Sequence, residues 1–321
     1  MIHNDVRSPT HQGVVEAAAR IAAILPPTPL LPVEIGGTSC RVKAESLQPV
    51  GAFKIRGGWN RLSTLSPEAA ARGVVGVSSG NHAQGVAWAA KRLGIAATIV
   101  MPADAPQVKL ANVKALGADI VLYDRAGGED RDAIARALCE ERGATLVHAY
   151  GDPWIIEGQG SAGIEIIAQL GHSPSRIVAP CGGGGLTAGL ALACPEAEIV
   201  PVEPEGWDDV RRSLAAGEIL PVGPNPPATA CDALQTLATW PINFAVLKDR
   251  ASPGVAVSER EVRDAQRFAF AVLRLVVEPG GAVALAAALA GKVTLDAGTV
   301  IVVSGGNVDP AQFARVIAGA D

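Results

Sequence analysis

Aromatic residues make up only 4% of the chain, and no block of Lys and Arg occurs in it. Single-strand binding needs stacking faces and duplex binding a positive footprint, so a chain of net charge -5 is expected to bind no nucleic acid. Cysteines are also few. Cys40, Cys139, Cys181, Cys194 and Cys231 are odd in number and widely spaced, without a C-x-x-C, which fits reduced thiols better than a disulfide framework. Long hydrophobic runs are missing too: the apolar stretch 282–290 is too short to span a bilayer, and 268–277 is interrupted by Arg274. The polar start, MIHNDVRSPTHQG, lacks the apolar core of a signal peptide. The expectation is a cytoplasmic protein with no membrane partner. Histidines 3, 11, 82, 148 and 172 form no i,i+4 pair, so a histidine zinc site is not expected. Neither a G-x-S-x-G elbow nor a G-x-x-x-x-G-K-[ST] loop occurs. The 36 glycines and 23 prolines carry no G-X-Y period and mark turns between many short elements.

What is present is core. The 321 residues are 49% hydrophobic, enough for about two domains. Short apolar runs alternate with alanine-rich segments of helical spacing. Strands are expected at 73–79, 96–102, 119–124, 145–150, 176–181, 198–203 and 299–306. Helices are expected from Asn81 onward and near 106–116, 129–142 and 155–169. Val/Ile runs without polar alternation predict strands buried on both faces, and therefore parallel sheets covered by helices. The class is α/β with repeated strand–helix crossovers. Two regions break the rhythm. In 42–58, VKAESLQPVGAFKIRGG, a lysine sits in a glycine-rich turn straight after a strand, and the proline-rich 221–244 reads as one long irregular loop.

In open α/β sheets ligands collect at the carboxyl ends of strands. Four such ends carry small or polar residues: Ser78-Ser79-Gly80-Asn81-His82, Gly182-Gly183-Gly184-Gly185-Leu186, the acidic EPEGWDD at 203–209, and Ser304-Gly305-Gly306-Asn307. Together they describe a polar rim around one cleft. The glycine run places backbone N–H groups at a helix N-terminus, an anion cup. It also matches a dinucleotide fingerprint, Gly183-x-Gly185-x-x-Ala188, with Glu203 about 20 residues on, so an oxidoreductase is one reading. A non-catalytic phosphate-ligand binding protein is another. A third follows from Lys54, lodged between Phe53 and Ile55. A buried lysine loses its proton more easily and forms Schiff bases, and such a lysine beside a monophosphate cup suits pyridoxal phosphate (PLP).

Several blocks carry a family resemblance: ESLQPVGAFKIRGG (45–58), SSGNHAQGVA (78–87), MPADAPQVK (101–109), IIEGQG (155–160), CGGGGLTAG (181–189), VEPEGWDD (202–209), VEPGGAVALAA (277–287) and SGGNVD (304–309). In that order, across nearly the whole chain, they resemble the fold-type II PLP enzymes, in the branch of serine/threonine dehydratases, serine racemase and hydroxyaspartate dehydratase. The resemblance implies two open, largely parallel twisted sheets with helices on both faces and the cofactor in the cleft between domains. The domains would be 1–63 with 151–321, which binds PLP, and a smaller substrate-loop unit at 64–150. Lys54 would hold PLP and take the Cα proton; Phe53 would pack on the ring and Asn81 bond its hydroxyl. Gly182, Gly183, Gly184, Gly185 and Leu186 would bind the phosphate, and Ser304 would face the pyridine nitrogen. Ser78, Ser79, Gly80, Asn81 and His82 would embrace the substrate carboxylate, with Ser79 opposite Lys54.

The same resemblance implies β-elimination from a 3-hydroxy amino acid such as L-serine or L-threonine, giving a 2-oxo acid and ammonia. Serine-type racemisation and dehydration of hydroxyaspartate or a bulkier substrate are the alternatives. It further implies a homodimer and a divalent cation, Mg²⁺ or Ca²⁺, on the Glu203 and Asp209 carboxylates and the Trp207 carbonyl. Without the resemblance those acids read as ordinary first-turn residues of a helix. Three departures from the family pattern bear on specificity: Ala233 where a glycine is usual, Tyr150 in HAYGDP, and Trp240 in the long loop. A chain ending soon after SGGNVD is not expected to carry a C-terminal regulatory domain.

Overall fold

The computed structural model describes residues 7–78, 80–105, 107–124 and 127–320. Ten strands occur among them: β1 (Leu30–Ile35), β2 (Thr38–Ala44), β3 (Val74–Val77), β4 (Ala97–Pro102), β5 (Asp119–Tyr123), β6 (Thr145–Val147), β7 (Arg176–Pro180), β8 (Glu198–Pro204), β9 (Val255–Val257) and β10 (Thr299–Val303). They form a six-stranded sheet in the order β1-β2-β10-β7-β8-β9 and a four-stranded sheet in the order β5-β4-β3-β6. Every pairing is parallel except β1 with β2. The Val/Ile runs behave as expected, since all residues of β4 and β10 are buried. The α/β expectation with two largely parallel sheets therefore holds.

Topology aims the polar strand ends. In the larger sheet the chain runs outward from β7 to β9, then returns to lay β10 on the other side of β7. In the smaller sheet it runs from β3 to β5 and returns as β6 on the other side of β3. Each reversal opens a crevice at the carboxyl ends of its central strands. The glycine run and Ser304 border one crevice, and Ser78 borders the other.

Some boundaries differ from expectation. The strand expected to reach 150 stops at Val147, and the one expected to reach 306 stops at Val303. Lys54 begins the helix Lys54–Ser63 instead of lying in a turn. Gly57 and Gly58 suggest a turn, but here they serve helix packing: a Cβ on Gly58 would lie 2.7 Å from the Gly85 carbonyl, and one on Gly85 would lie 2.8 Å from that of Lys54. The helix Asn81–Leu93 can therefore press against the Lys54 helix. The irregular loop ends at Trp240, because Pro241 takes the first turn of the helix Pro241–Arg250, where its missing N–H costs nothing. Among the described residues no helix is long and apolar enough to cross a membrane.

An interior ion cluster fixes the start of the Lys54 helix. Arg56 is wholly buried and bonds both oxygens of Glu45 at 2.7 Å and both of Glu165 at 2.7 Å. Glu165 lies on the helix Pro153–Leu170 and also accepts from Lys43 Nζ of β2 at 2.6 Å. Two cations and two carboxylates thus join a strand, a loop and two helices. Burial alone would raise the Glu45 carboxyl, but the charge and hydrogen bonds of Arg56 overcome it and hold Glu45 at about 2. This depressed value stabilises the fold above the ordinary carboxyl value of 4.5, and the contribution is lost as pH falls toward 2. Replacing Arg56 with Met strands the carboxylates, and we expect it to cost about 3–5 kcal/mol of unfolding free energy, read as a lower urea midpoint.

Candidate active site

Phe53 precedes the Lys54 helix, and its N–H donates to the Ser304 carbonyl at the end of β10 at 3.1 Å. Ala52 also bridges Gly305. The Lys54 amine donates to the Ala149 carbonyl at 2.7 Å and lies 5.2 Å from the centre of the Phe53 ring. Among the described residues no carboxylate pairs with it. Burial disfavours the ammonium and pulls this amine down to about 8.

The accepting carbonyl lies in a tight turn. His148 Nδ1 accepts from the N–H groups of Gly151 at 2.7 Å and Tyr150 at 3.3 Å, so Nε2 carries the ring proton. Burial lowers the His148 imidazole to about 4, leaving it neutral. Tyr150 sits on the glycine run: a Cβ on Gly183 would lie 2.3 Å from its ring. Gly184 has φ +88, a left-handed conformation suited to glycine, and leads into the helix Gly185–Ala193. That helix has no side-chain cap. Leu186 is buried in its first turn. Thr239 Oγ1 donates to the Gly183 carbonyl at 3.2 Å and Asn243 Nδ2 to that of Tyr150 at 3.0 Å. An uncapped helix start too close-packed for side chains fits a phosphate monoester.

At the other crevice Gly80 N–H donates to Ser78 Oγ at 3.1 Å, and Asn81 begins its helix. Ser79 lies outside the described residues. The His82 ring bonds the Val147 carbonyl at 2.9 Å, and burial lowers it to about 3, so it brings no positive charge to a substrate. Asn81 instead reaches the larger sheet, where it meets Glu278 at 2.6 Å and Asn307 at 2.8 Å. Both were within recognisable blocks without a role. The acid before Pro-Gly-Gly was a usable signal of a helix start, but its partner is 197 positions away. A cavity of about 210 Å³ is lined by Ser78, Lys109, Tyr123, Arg131, Asp232 and Gln235. Lys109 and Asp232 pair across it. Another hollow, of about 260 Å³, lies at Ser8, Ile242 and Asp249 and contains none of the expected site residues.

The acidic motif adjoins the glycine run through Thr239. The wholly buried Glu203 accepts from the N–H groups of Val210 at 3.0 Å and Arg211 at 2.7 Å, so it caps the helix Asp209–Ala216. Asp209 Oδ2 accepts from Thr239 N–H at 2.8 Å, while its Oδ1 is buried without a donor. Among the described residues no three His, Cys, Asp or Glu side chains gather as a metal site. Ala233 is exposed, and Trp240 packs on His148 with ring centres 4.8 Å apart.

The family model of the pyridoxal-phosphate dependent enzymes matches residues 21–305. This chain belongs to that family. It is 39% identical over 320 residues to an L-threo-3-hydroxyaspartate ammonia-lyase of Saccharomyces cerevisiae, covering 97% of each chain. It is 38% identical over 288 residues to an L-threonine ammonia-lyase of Thermotoga maritima, covering 88% of this chain and 71% of the relative. The structure of maize serine racemase superposes with a TM-score of 0.90 at 36% identity, covering 98% of each chain. A PLP-dependent enzyme must bind its cofactor through a deprotonated amine. With Lys54 as that amine, the expectation from the sequence, the rate of PLP uptake by the apoprotein should rise with pH and level off above about 8, not near the ordinary lysine value of 10.5. Stopped-flow absorbance measures this directly, and a rate still climbing toward 10.5 would contradict the burial argument.

Proposed function

We propose that this PLP-dependent enzyme is an ammonia-lyase that converts a 3-hydroxy amino acid to a 2-oxo acid and ammonia. The observation that carries the reading is the buried Lys54 amine, held against the neutral Ala149 carbonyl, whose neighbour Tyr150 packs on the uncapped glycine turn. When bound, PLP would withdraw electrons from the substrate Cα. Lys54 would be its attachment residue and would take the Cα proton at Nζ, while Phe53 flanks the ring. The N–H groups of Gly182, Gly183, Gly184, Gly185 and Leu186 would hold the phosphate. Asn81 would meet the ring hydroxyl and Ser304 the pyridine nitrogen. Ser304 is neutral, and burial raises nearby Glu278 to about 8, so this acid is mostly protonated at pH 7. Neutral neighbours make a weak electron sink, which favours prompt loss of the β-hydroxyl as water over transamination. The released enamine would tautomerise to an imine, and water would hydrolyse it to the 2-oxo acid and ammonia.

Ser78, Ser79, Gly80, Asn81 and His82 would receive the substrate carboxylate, His82 through its backbone because its ring is engaged elsewhere. Racemisation is a companion activity if Ser79 serves the opposite face of Cα. The division into 1–63 with 151–321 and 64–150 is supported by β3 to β6 all falling in the middle segment. A divalent cation at Glu203, Asp209 and the Trp207 carbonyl is supported by the donorless Asp209 Oδ1 and by an all-oxygen ligand set.

Within this reading, Arg131 and Lys109 favour a substrate with a second carboxylate. Both line the cavity, whose only acid among the described residues is Asp232. Among the described residues Arg131 pairs with Asp132, at 4.0 Å. Against a panel of 3-hydroxy amino acids scored for 2-oxo acid release, kcat/KM for 3-hydroxyaspartate should exceed that for L-serine by about tenfold or more. Arg131→Gln should erase this preference, and Lys54→Ala should lower kcat at least about 100-fold. Equal turnover of the two substrates would remove the dicarboxylate reading alone. Release of 2-oxo acid by Lys54→Ala at the wild-type rate would remove the lyase reading. For the cation, Mg²⁺ or Ca²⁺ should raise Tm by about 2 °C or more, and Asp209→Ala should abolish the shift.

A further inference from the structure

The Asn81 amide is held by residues from the larger sheet side. Asn307 Nδ2 donates to the Val50 carbonyl at 2.9 Å and to Asn81 Oδ1 at 2.8 Å, and Asn81 Nδ2 donates to Glu278 Oε1 at 2.6 Å. The polarity of this relay has a fixed origin. A peptide carbonyl only accepts, so the Asn307 atom facing Val50 must be nitrogen. The second proton on that nitrogen requires an oxygen on Asn81, which turns the Asn81 nitrogen toward Glu278. A Glu278 oxygen can accept there in either charge state. One N–H of Asn81 then remains unassigned.

The relay abuts the end of β10. A Cβ on Gly305 would stand 2.0 Å from Glu278 Oε1 and 3.2 Å from Asn81 Nδ2, so only glycine leaves room for it beside Ser304. Asn81 is 9% and Glu278 4% exposed, so water competes poorly for these groups. We propose that Glu278 and Asn307 are positioning residues that lock the Asn81 amide, so that its remaining N–H, and not its oxygen, is offered to the ring hydroxyl of the cofactor. This rests on the reading of Asn81 given above. The Val50 carbonyl thereby sets the direction of a contact it does not touch.

Apoprotein variants titrated with PLP, followed by fluorescence quenching and by the position of the visible absorption band, test this. Asn81→Ala, Asn307→Asp and Glu278→Ala should each weaken PLP binding about tenfold and shift the band, the cost of one buried hydrogen bond. Asn307→Asp is nearly isosteric but sets an acceptor against both oxygens it formerly served. Glu278→Gln retains a carbonyl acceptor and should recover affinity to within about threefold of wild type. If Asn81→Ala leaves affinity and band unchanged, the reading of Asn81 itself fails. If Asn81→Ala weakens binding while Asn307→Asp and Glu278→Ala do not, the relay is overturned and that reading survives. Glu278→Gln as weak as Glu278→Ala would overturn it too, since charge and not orientation would then matter. Should Glu278→Ala fail to fold, Asn307→Asp decides alone.

Discussion

An amine kept inside the protein without a counter-charge is the constraint on which the site depends. Two interior lysines show the difference. Lys43 donates to Glu165 at 2.6 Å, with Gln169 and the Thr28 carbonyl at 2.9 Å as further acceptors. Lys54 has one neutral carbonyl. An ammonium given so little in place of water is disfavoured, and the proton leaves nearer to neutrality. Such an arrangement needs rigid support, because a helix start free to move would let the amine reach solvent. Arg56, two residues further on and bonded to two carboxylates, supplies that rigidity. The paired charges thus serve the unpaired one.

Topology explains why this amine meets the remaining groups. Each sheet reverses its winding once, and each reversal leaves a crevice at the carboxyl ends of two central strands. The glycine turn and Ser304 border one crevice, while Ser78 borders the other. The Lys54 helix connects them: its entry turn is bonded to the end of β10, and its Gly58 faces Gly85 of the Asn81 helix. Short elements from distant parts of the chain are therefore assembled without any one of them carrying the site alone.

The parts of this arrangement legible in the sequence are those with a local cause. Buried parallel strands announce themselves by uninterrupted Val and Ile, as in β4 and β10, and the glycine turn by its composition. The helix beginning at Lys54 is obscured because Gly57 and Gly58 signal a turn when their neighbours are unknown, and only Gln159 with the Ile155 carbonyl against Gly57, and Gly85 against Gly58, explain them. The helix Pro241–Arg250 was obscured by a proline that marks its start. Glu278, Asn307 and the Ala149 carbonyl had no sequence signature for their roles. Their meaning lies in partners far away in the chain, and hydrophobic period carries no information about which amide meets which acid. His82 lies in the polar segment after β3, and its ring is drawn to the Val147 carbonyl, a partner no local pattern announces.

Three buried glutamates show how little residue type alone determines. Glu45 meets Arg56 through both oxygens and is held at about 2. Glu203 meets two backbone N–H groups at a helix start, yet burial, with Asp209 nearby, still raises it well above the usual range. Glu278 meets a single side-chain amide and rises to about 8. All three are desolvated, and only Glu45, which receives a guanidinium in exchange, is lowered; two peptide dipoles or one amide leave Glu203 and Glu278 raised. Of the two raised acids, Glu278 is the one beside the end of β10. A carboxylate there would add negative charge where a pyridine ring is expected, whereas a mostly protonated acid orders Asn81 while changing the local field little. The weak sink proposed from Ser304 would therefore depend as much on the burial that raises Glu278 as on the serine itself.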